Sequence, residues 1–304
     1  MSSRCAERRR ARPLLGTLVE IEVTAGDEES AQRALEAGFS AVARVDRAMS
    51  FHSADSALSR IHRDAWRSDT RVDGDTWRVL RASRALSAAT GGVFDCTVAS
   101  RLVAAGRLPR PHGSPDPVPD GNWRDVDLRR EGYVRLKRPV WLDLGGIAKG
   151  YALDVATRAM ATAGALTSRV DAGGDIRVRS ARSAPVFVRH PADRSRAFAV
   201  GSLQDGAMAT TAPYHDETGE WSGVVVPSGK QRSVADSSVT VFARRGIWAD
   251  ALTKVVAIAP DSAGAILRRL GADALEIASD GAARWCPTGD GALRGWSLGP
   301  EQCG

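Results

Sequence analysis

Lysine is nearly absent from this chain of 304 residues: there are four, at positions 137, 149, 230 and 254, against 38 arginines. Cysteine is equally sparse, with four at 5, 96, 286 and 303. No two of them form a CxxC pair, so neither a zinc site nor a disulfide framework is indicated, and a reducing compartment is expected. No stretch approaches the roughly 18 to 20 consecutive apolar residues that a membrane helix needs. The start, MSSRCAERRRARPLL, is positive but has no apolar run of signal-peptide length, and Cys5 follows Arg4 without the hydrophobic segment of a lipid anchor. A cytoplasmic protein without membrane insertion is therefore expected.

The formal net charge of +6 raises the question of nucleic acid. Arginine is scattered along the sequence instead of massed on one face, and no RNP, zinc-finger or basic-aromatic platform accompanies it. No nucleic-acid partner is expected.

The length suffices for one large domain or two intertwined subdomains with an ample core. Val19, Ile21 and Val23 alternate with Leu18, Glu20 and Glu22, the period of a half-buried strand. Residues 27–49 follow a helical spacing through Leu35, Phe39, Val42, Val45 and Met49, with acidic residues in the first turn. A second helix over 75–89 turns Trp77, Leu80 and Leu86 inward and stops at Gly91 and Gly92. Residues 1–13 are read as a flexible N-terminus, and the proline- and glycine-rich 106–122 as an exposed loop. Short strands are expected at 185–189, 197–203, 223–227 and 237–243. A helix from near Trp248, another over 260–270, and the late strand ALEIAS follow. Mixed order of helices and strands points to an α+β fold.

One stretch, VWLDLGGIAKGYALD at 140–154, runs an apolar strand into a glycine pair, a lysine, a third glycine and a helix. Paired glycines permit positive φ and leave amides bare. The first amides of a helix lack internal partners and its dipole is positive there, so phosphate is the natural guest, and Lys149 adds charge. The spacing matches neither a Walker loop nor GxGxxG, which leaves a plain tight turn with a surface lysine as the other reading. The pattern Asp-x-Gly-Gly recurs at 171–174. Asp143 and Asp171, which open the two copies, are read either as turn caps or as ligand contacts.

Six segments in register resemble the ApbE-like FAD:protein FMN transferases: LLGTLVEIEV, MSFHSADSALSRIH, TGGVFDCTV, DLGGIAKGYALD, VDAGGDI and WADALTK. The resemblance spans about residues 15–271. It implies a single domain over 1–304 built of two intertwined subdomains, a T-fold-like duplicated α+β core with FAD bound between the two halves. The implied reaction moves the FMN phosphoryl group from FAD to a threonine or serine hydroxyl of an acceptor protein carrying an FMN-binding domain, with release of AMP. A non-catalytic FAD-binding protein and an FAD pyrophosphatase are the competing readings.

Carried over position by position, the resemblance assigns FAD contacts to Leu15, Ser50, His52, Val93, Phe94, Asp95, Gly145, Gly146, Lys149, Tyr151, Tyr214 and Val225. His52 stands where the family has tyrosine. Mg²⁺ is implied on the Ala148 carbonyl, Asp250 and a threonine whose place is taken here by Lys254. An ammonium cannot ligate a cation, which leaves two expectations. Either Thr253, one position earlier, serves a shifted metal, or Lys254 supplies the positive charge and weakens or replaces the magnesium requirement. The family's histidine is replaced by Gly223, so His215 or Asp216 is expected to take the hydroxyl proton. The catalytic set is thus Asp250, Lys254 and His215. Cys96 is given no catalytic role.

Overall fold

The computed structural model describes residues 5–193, 195–212, 224–227, 237–288, 292–295 and 301–303. In chain order the elements are β1 (Ala6–Leu14), β2 (Thr17–Ala25), α1 (Glu28–Met49), α2 (Ala57–Asp64), β3 (Thr70–Arg71), α3 (Gly74–Ala89) and α4 (Ala99–Ala104). Next come β4 (Val126–Arg130), β5 (Tyr133–Leu136), α5 (Ala148–Thr162), β6 (Ala165–Ala172), β7 (Asp175–Arg189), β8 (Arg196–Thr211) and β9 (Ser237–Ala243). The last are α6 (Gly246–Ile258), α7 (Ala263–Leu270), β10 (Ala272–Ala278), β11 (Ala283–Cys286), β12 (Leu293–Arg294) and β13 (Glu301–Cys303). The chain divides into two compact units, one of Met1–Ala43, Lys149–Val224 and Ser233–Gly304, the other of Arg44–Ala148 and Val225–Arg232.

The first unit is built on an antiparallel sheet that runs β1-β2-β6-β7-β8-β9-β10-β11, with β12 and β13 also paired to β8. The alternation in β2 places Val19, Ile21 and Val23 in the core, while Leu18 is 59% exposed. The expectation of a flexible N-terminus is corrected over Ala6–Leu14. This segment is an edge strand, registered on β2 from Ala6 opposite Ala25 to Leu14 opposite Thr17. Ion pairs of Arg9 with Glu20 and Glu22, and of Arg10 and Arg12 with Glu36, fasten it. Its arginines also load the sheet's free edge with charge, which discourages edge-to-edge pairing.

Helix α6 packs on β7, β8, β9 and β10, and ten of its thirteen residues are buried. Its approach to α5 is set by two glycines: a Cβ on Gly150 would collide with the Gly246 carbonyl, and one on Gly246 with the Gly150 carbonyl. The two helices also cap each other. Asp154 of α5 accepts from the Gly246 and Ile247 amides, at 2.7 and 3.1 Å, while Asp250 of α6 accepts from the Gly150 amide at 3.0 Å. Each carboxylate thus satisfies orphan amides at the positive end of the other helix.

In the second unit, α2 and α3 accompany a three-stranded sheet ordered β3-β5-β4. Both helices are capped as their sequences dictate. Ser56 accepts from the Ser59 amide, and Asp73 from the Thr76 amide and hydroxyl. Leu80 and Leu86 are buried, but Trp77 is only half-buried, a correction to its expected inward place; its indole N–H reaches the Arg130 carbonyl at the surface. Two further expectations are corrected. Residues 140–142 and 144 are buried and Asp143 is half-buried, but the stretch pairs with no strand, because side chain and loop groups serve its backbone: Leu142 N–H donates to His62 Nε2 at 2.9 Å, and Asp143 N–H to the Cys96 carbonyl at 2.7 Å. Residues 224–227, the described part of the strand expected at 223–227, form no strand. The loop over 106–122 contains no strand or α-helix, although Ser114 is buried and Trp141 donates to the Pro115 carbonyl.

Candidate functional site

The repeated Asp-x-Gly-Gly pattern resolves into two different structures. Gly173 and Gly174 have φ of +66° and +97°, and they turn the chain between β6 and β7. Gly145 and Gly146 do not adopt positive φ, which corrects the expectation for that pair. Asp143 and Asp171 act as turn caps, accepting from the Gly145 and Gly174 amides at 2.9 Å in each case. The Gly145 amide is therefore occupied, and the turn's bareness is less than its sequence suggests.

In the first unit, one end of the sheet gathers much of the predicted site. Leu15 and Gly16 form the two-residue turn between β1 and β2, both in the left-handed region, with Leu15 at φ +57°. That conformation is strained for a leucine, and Asn-Gly is the usual occupant of such a turn. Beside it, a Cβ on Gly173 would press on the Thr17 hydroxyl, so the two hairpin turns are adjacent. Asp175, at the start of β7, accepts from the Thr210 amide at 3.2 Å and pairs with Lys149 Nζ at 2.8 Å.

Four charges interact here. Lys254 Nζ donates to Asp250 Oδ1 at 2.5 Å and to the Asp250 carbonyl at 3.1 Å, while Asp250 Oδ2 holds the Gly150 amide. Burial opposes the charged form of Asp250, but the charges of Lys254 and Lys149 and the bonds to Lys254 and Gly150 outweigh it, and its pKa is lowered. Burial dominates at Asp175, whose pKa is raised against the pull of Lys149, with Asp250 adding to the rise. For Lys149 burial works against the ammonium, and the Asp175 and Asp250 charges win, raising its pKa. The carboxylates are 3% and 0% exposed; the two lysine side chains retain 33% and 22%. Two partly exposed lysine side chains thus rest on buried carboxylate seats.

The donor set does not fit Mg²⁺. That ion requires an octahedral shell of oxygens and usually keeps several waters. Asp250 is fully buried with both oxygens engaged. Thr253 is fully buried as well, its hydroxyl donating to the Asp250 carbonyl at 2.7 Å and lying 2.7 Å from the Thr211 hydroxyl, so it offers no shifted ligand. Ala148 opens α5 with its side chain buried. Among the described residues no cluster of three or more His, Cys, Asp or Glu is placed to hold a metal.

In the second unit, a cavity of about 250 Å³ is lined by the glycine pair Gly91 and Gly92, by Asp95, Thr97 and Arg101, and by Trp123. Asp95 organises it, accepting from the Thr97 amide and hydroxyl at 2.8 and 2.7 Å and from the Trp123 amide at 3.0 Å. Burial nevertheless raises its pKa. Phe94 is buried beside it, and Val93 is half-buried. Ser50 accepts from the Ser53 amide, and His52 is exposed against the edge of Phe51. Val225 is half-buried, and Arg101 donates to the neighbouring Val226 carbonyl at 3.1 Å. Cys96 is buried and its thiol is pushed up to about 12 by burial first and by Asp95 second, an inert environment. Tyr151 is 4% exposed on α5. Tyr214, His215 and Asp216 lie outside the described residues.

Sequence reasoning passed over Asp154, and it read Asp175, like Asp143 and Asp171, either as a turn cap or as a ligand contact. Asp154 stands four residues after Gly150, one helical turn along the same face, and Asp175 follows its glycine pair directly. Those spacings were the available signals.

The ApbE family profile matches residues 15–275. The FAD:protein FMN transferase of Treponema pallidum is 28% identical over 313 residues, covering 91% of this chain and 86% of that protein. Among solved structures, the ApbE protein of Thermotoga maritima superposes with a TM-score of 0.79 at 25% identity, over 93% of this chain and 98% of that one. The flavin transferase ApbE of Vibrio cholerae gives a TM-score of 0.76 at 20% identity, over 94% and 98%.

Proposed function

The chain belongs to the ApbE family, and on that premise we propose that it is an FAD:protein FMN transferase. Its acceptor is a protein with an FMN-binding domain. In the reaction, a threonine or serine oxygen of the acceptor bonds to the FMN phosphorus, the pyrophosphate bond to AMP breaks, and AMP leaves with the bonding pair. The hydroxyl proton passes to a base, a role His215 holds in the sequence reading.

The observation that carries this reading is the pair of ammonium groups, Lys149 and Lys254, seated on Asp175 and Asp250 at the first turn of α5. Phosphoryl transfer spreads negative charge over the phosphoryl oxygens, and fixed positive groups stabilise that charge without reorganising. Two of the chain's four lysines stand here. In this reading Asp250 acts by position: it orients Lys254 and ties α6 to the α5 amides. Mg²⁺ has no part in this scheme, because the donors around Asp250 are already engaged.

The test is incubation with FAD and a protein carrying an FMN-binding domain, read by intact mass and by nucleotide analysis. An FMN adduct on the acceptor with one AMP released per adduct is expected. Free FMN and AMP without an adduct would mark a pyrophosphatase, and unaltered bound FAD a storage protein.

A further inference from the structure

We propose that the Lys254 ammonium is a tethered cation, seated on Asp250 where the family resemblance puts a divalent metal, and that it holds the ligand's phosphate directly, making FAD binding by this chain independent of divalent ions. The inference rests on the flavin reading above.

The geometry is that of a replaced ion. A cation at this place would take a carboxylate oxygen of Asp250, and Lys254 Nζ takes one at 2.5 Å together with the carbonyl of the same residue at 3.1 Å. Those are two of the three donors of an ammonium. Among the described residues the third donor has no partner, and the side chain is 22% exposed in a helix whose faces are otherwise almost wholly buried. The remaining Asp250 oxygen is held by the Gly150 amide, so each oxygen of the carboxylate already carries a partner. Thr253, which stood as the substitute metal ligand, spends its hydroxyl on the Asp250 carbonyl and Thr211.

Charge counting agrees. Lys149 and Lys254 balance Asp175 and Asp250, so the cluster is neutral without a metal, and a divalent ion would enter beside two ammonium groups. A plain (i, i+4) helix pair is the alternative. Such a pair steadies its helix and touches no ligand. It would leave flavin affinity unchanged when the lysine is replaced.

Two measurements decide. In the first, FAD affinity of the full-length protein is compared in EDTA and in excess Mg²⁺, for the native chain, Lys254→Thr and Lys254→Met. The native chain is expected to bind equally in both buffers. Lys254→Thr is expected to lose about tenfold in EDTA and to recover with Mg²⁺, and Lys254→Met to lose a similar factor in both. In the second, Mn²⁺ is titrated without flavin and followed by electron paramagnetic resonance, with binding expected to Lys254→Thr and not to the native chain. Native FAD affinity that falls about tenfold in EDTA would overturn the inference and leave the flavin reading standing. So would folded variants that bind FAD as the native chain does in EDTA, or native protein that binds Mn²⁺ at this site. Absence of FAD binding by the native chain in either buffer would overturn the flavin reading itself, and the inference with it. Should both variants fail to fold, the native EDTA comparison and Mn²⁺ titration still decide.

Discussion

At the scale of single residues, buried polar groups fix the backbone where no regular structure does. His62 is 2% exposed, and its Nε2 accepts from Leu142 N–H, holding the segment that leads to the glycine pair. Burial is the main reason its pKa is lowered to about 4; the Leu142 carbonyl, 3.1 Å from Nε2, would favour a protonated ring and opposes the shift, and Arg63 adds to it. A depressed folded-state value means that the neutral ring is the native form. The stability it contributes is complete above the unfolded value near 6.5 and is lost as pH falls from there through about 4. Urea unfolding across that window should show a decline of about 3 kcal/mol. In His62→Gln, whose amide oxygen can take the same N–H without titrating, the decline should vanish. An equal slope in the variant would remove His62 as its source.

At the scale of elements, the crossing of α5 and α6 is the feature on which the site depends. Gly150 belongs to the glycine-rich stretch that invites a phosphate-loop reading. Its lack of a side chain is used instead for packing, since a Cβ there would strike the Gly246 carbonyl and approach Asp250 Cβ at 2.8 Å. Overpacking of this kind costs about 1–3 kcal/mol. The obstacle is backbone, which yields less readily than a side-chain end, so Gly150→Ala should fall at the upper end of that range. It should lower the melting temperature by about 2–4 °C for each kcal/mol lost. It should also weaken FAD binding by separating Asp250 and Lys254 from the first turn of α5. A variant with unaltered melting and affinity would show that the helices are not held at this crossing. Asp154 works from the opposite direction: burial raises its pKa first, against the Gly246 and Ile247 amides that it caps.

At the scale of the whole molecule, the charge excess is dispersed. The arginines of β1 are answered by Glu20, Glu22, Glu28 and Glu36, Arg138 by Asp120 and Asp125, and Arg284 by Glu276. Such pairs add little stability at the surface, but they cancel the field that a polyanion would meet. Duplex DNA is therefore expected to bind no tighter than the non-specific range of about 10⁻⁴ to 10⁻⁶ M at physiological salt. Sequence-selective retention at that salt would reveal a basic surface that these pairs do not neutralise. Among the described residues no helix is long and apolar enough to cross a membrane.

What the sequence determined by itself follows from local physics. The alternation of β2, the spacing and acidic start of α1, the caps of α2 and α3 and the turn glycines at 173 and 174 are set by neighbours in the chain, and six ordered motifs identify the family. Lys254 was legible as a departure for the same reason. Tertiary structure alone decided that 6–14 is an edge strand, that 140–144 is clipped by His62 without strand pairing, that Gly150 serves a helix crossing, and that both Asp250 oxygens are occupied. The clip at 140–144 and the helix crossing depend on partners far along the chain, 80 residues away for His62 and Leu142 and 100 for Gly150 and Asp250, and no periodicity records which distant group will arrive to fill a hydrogen bond or a gap.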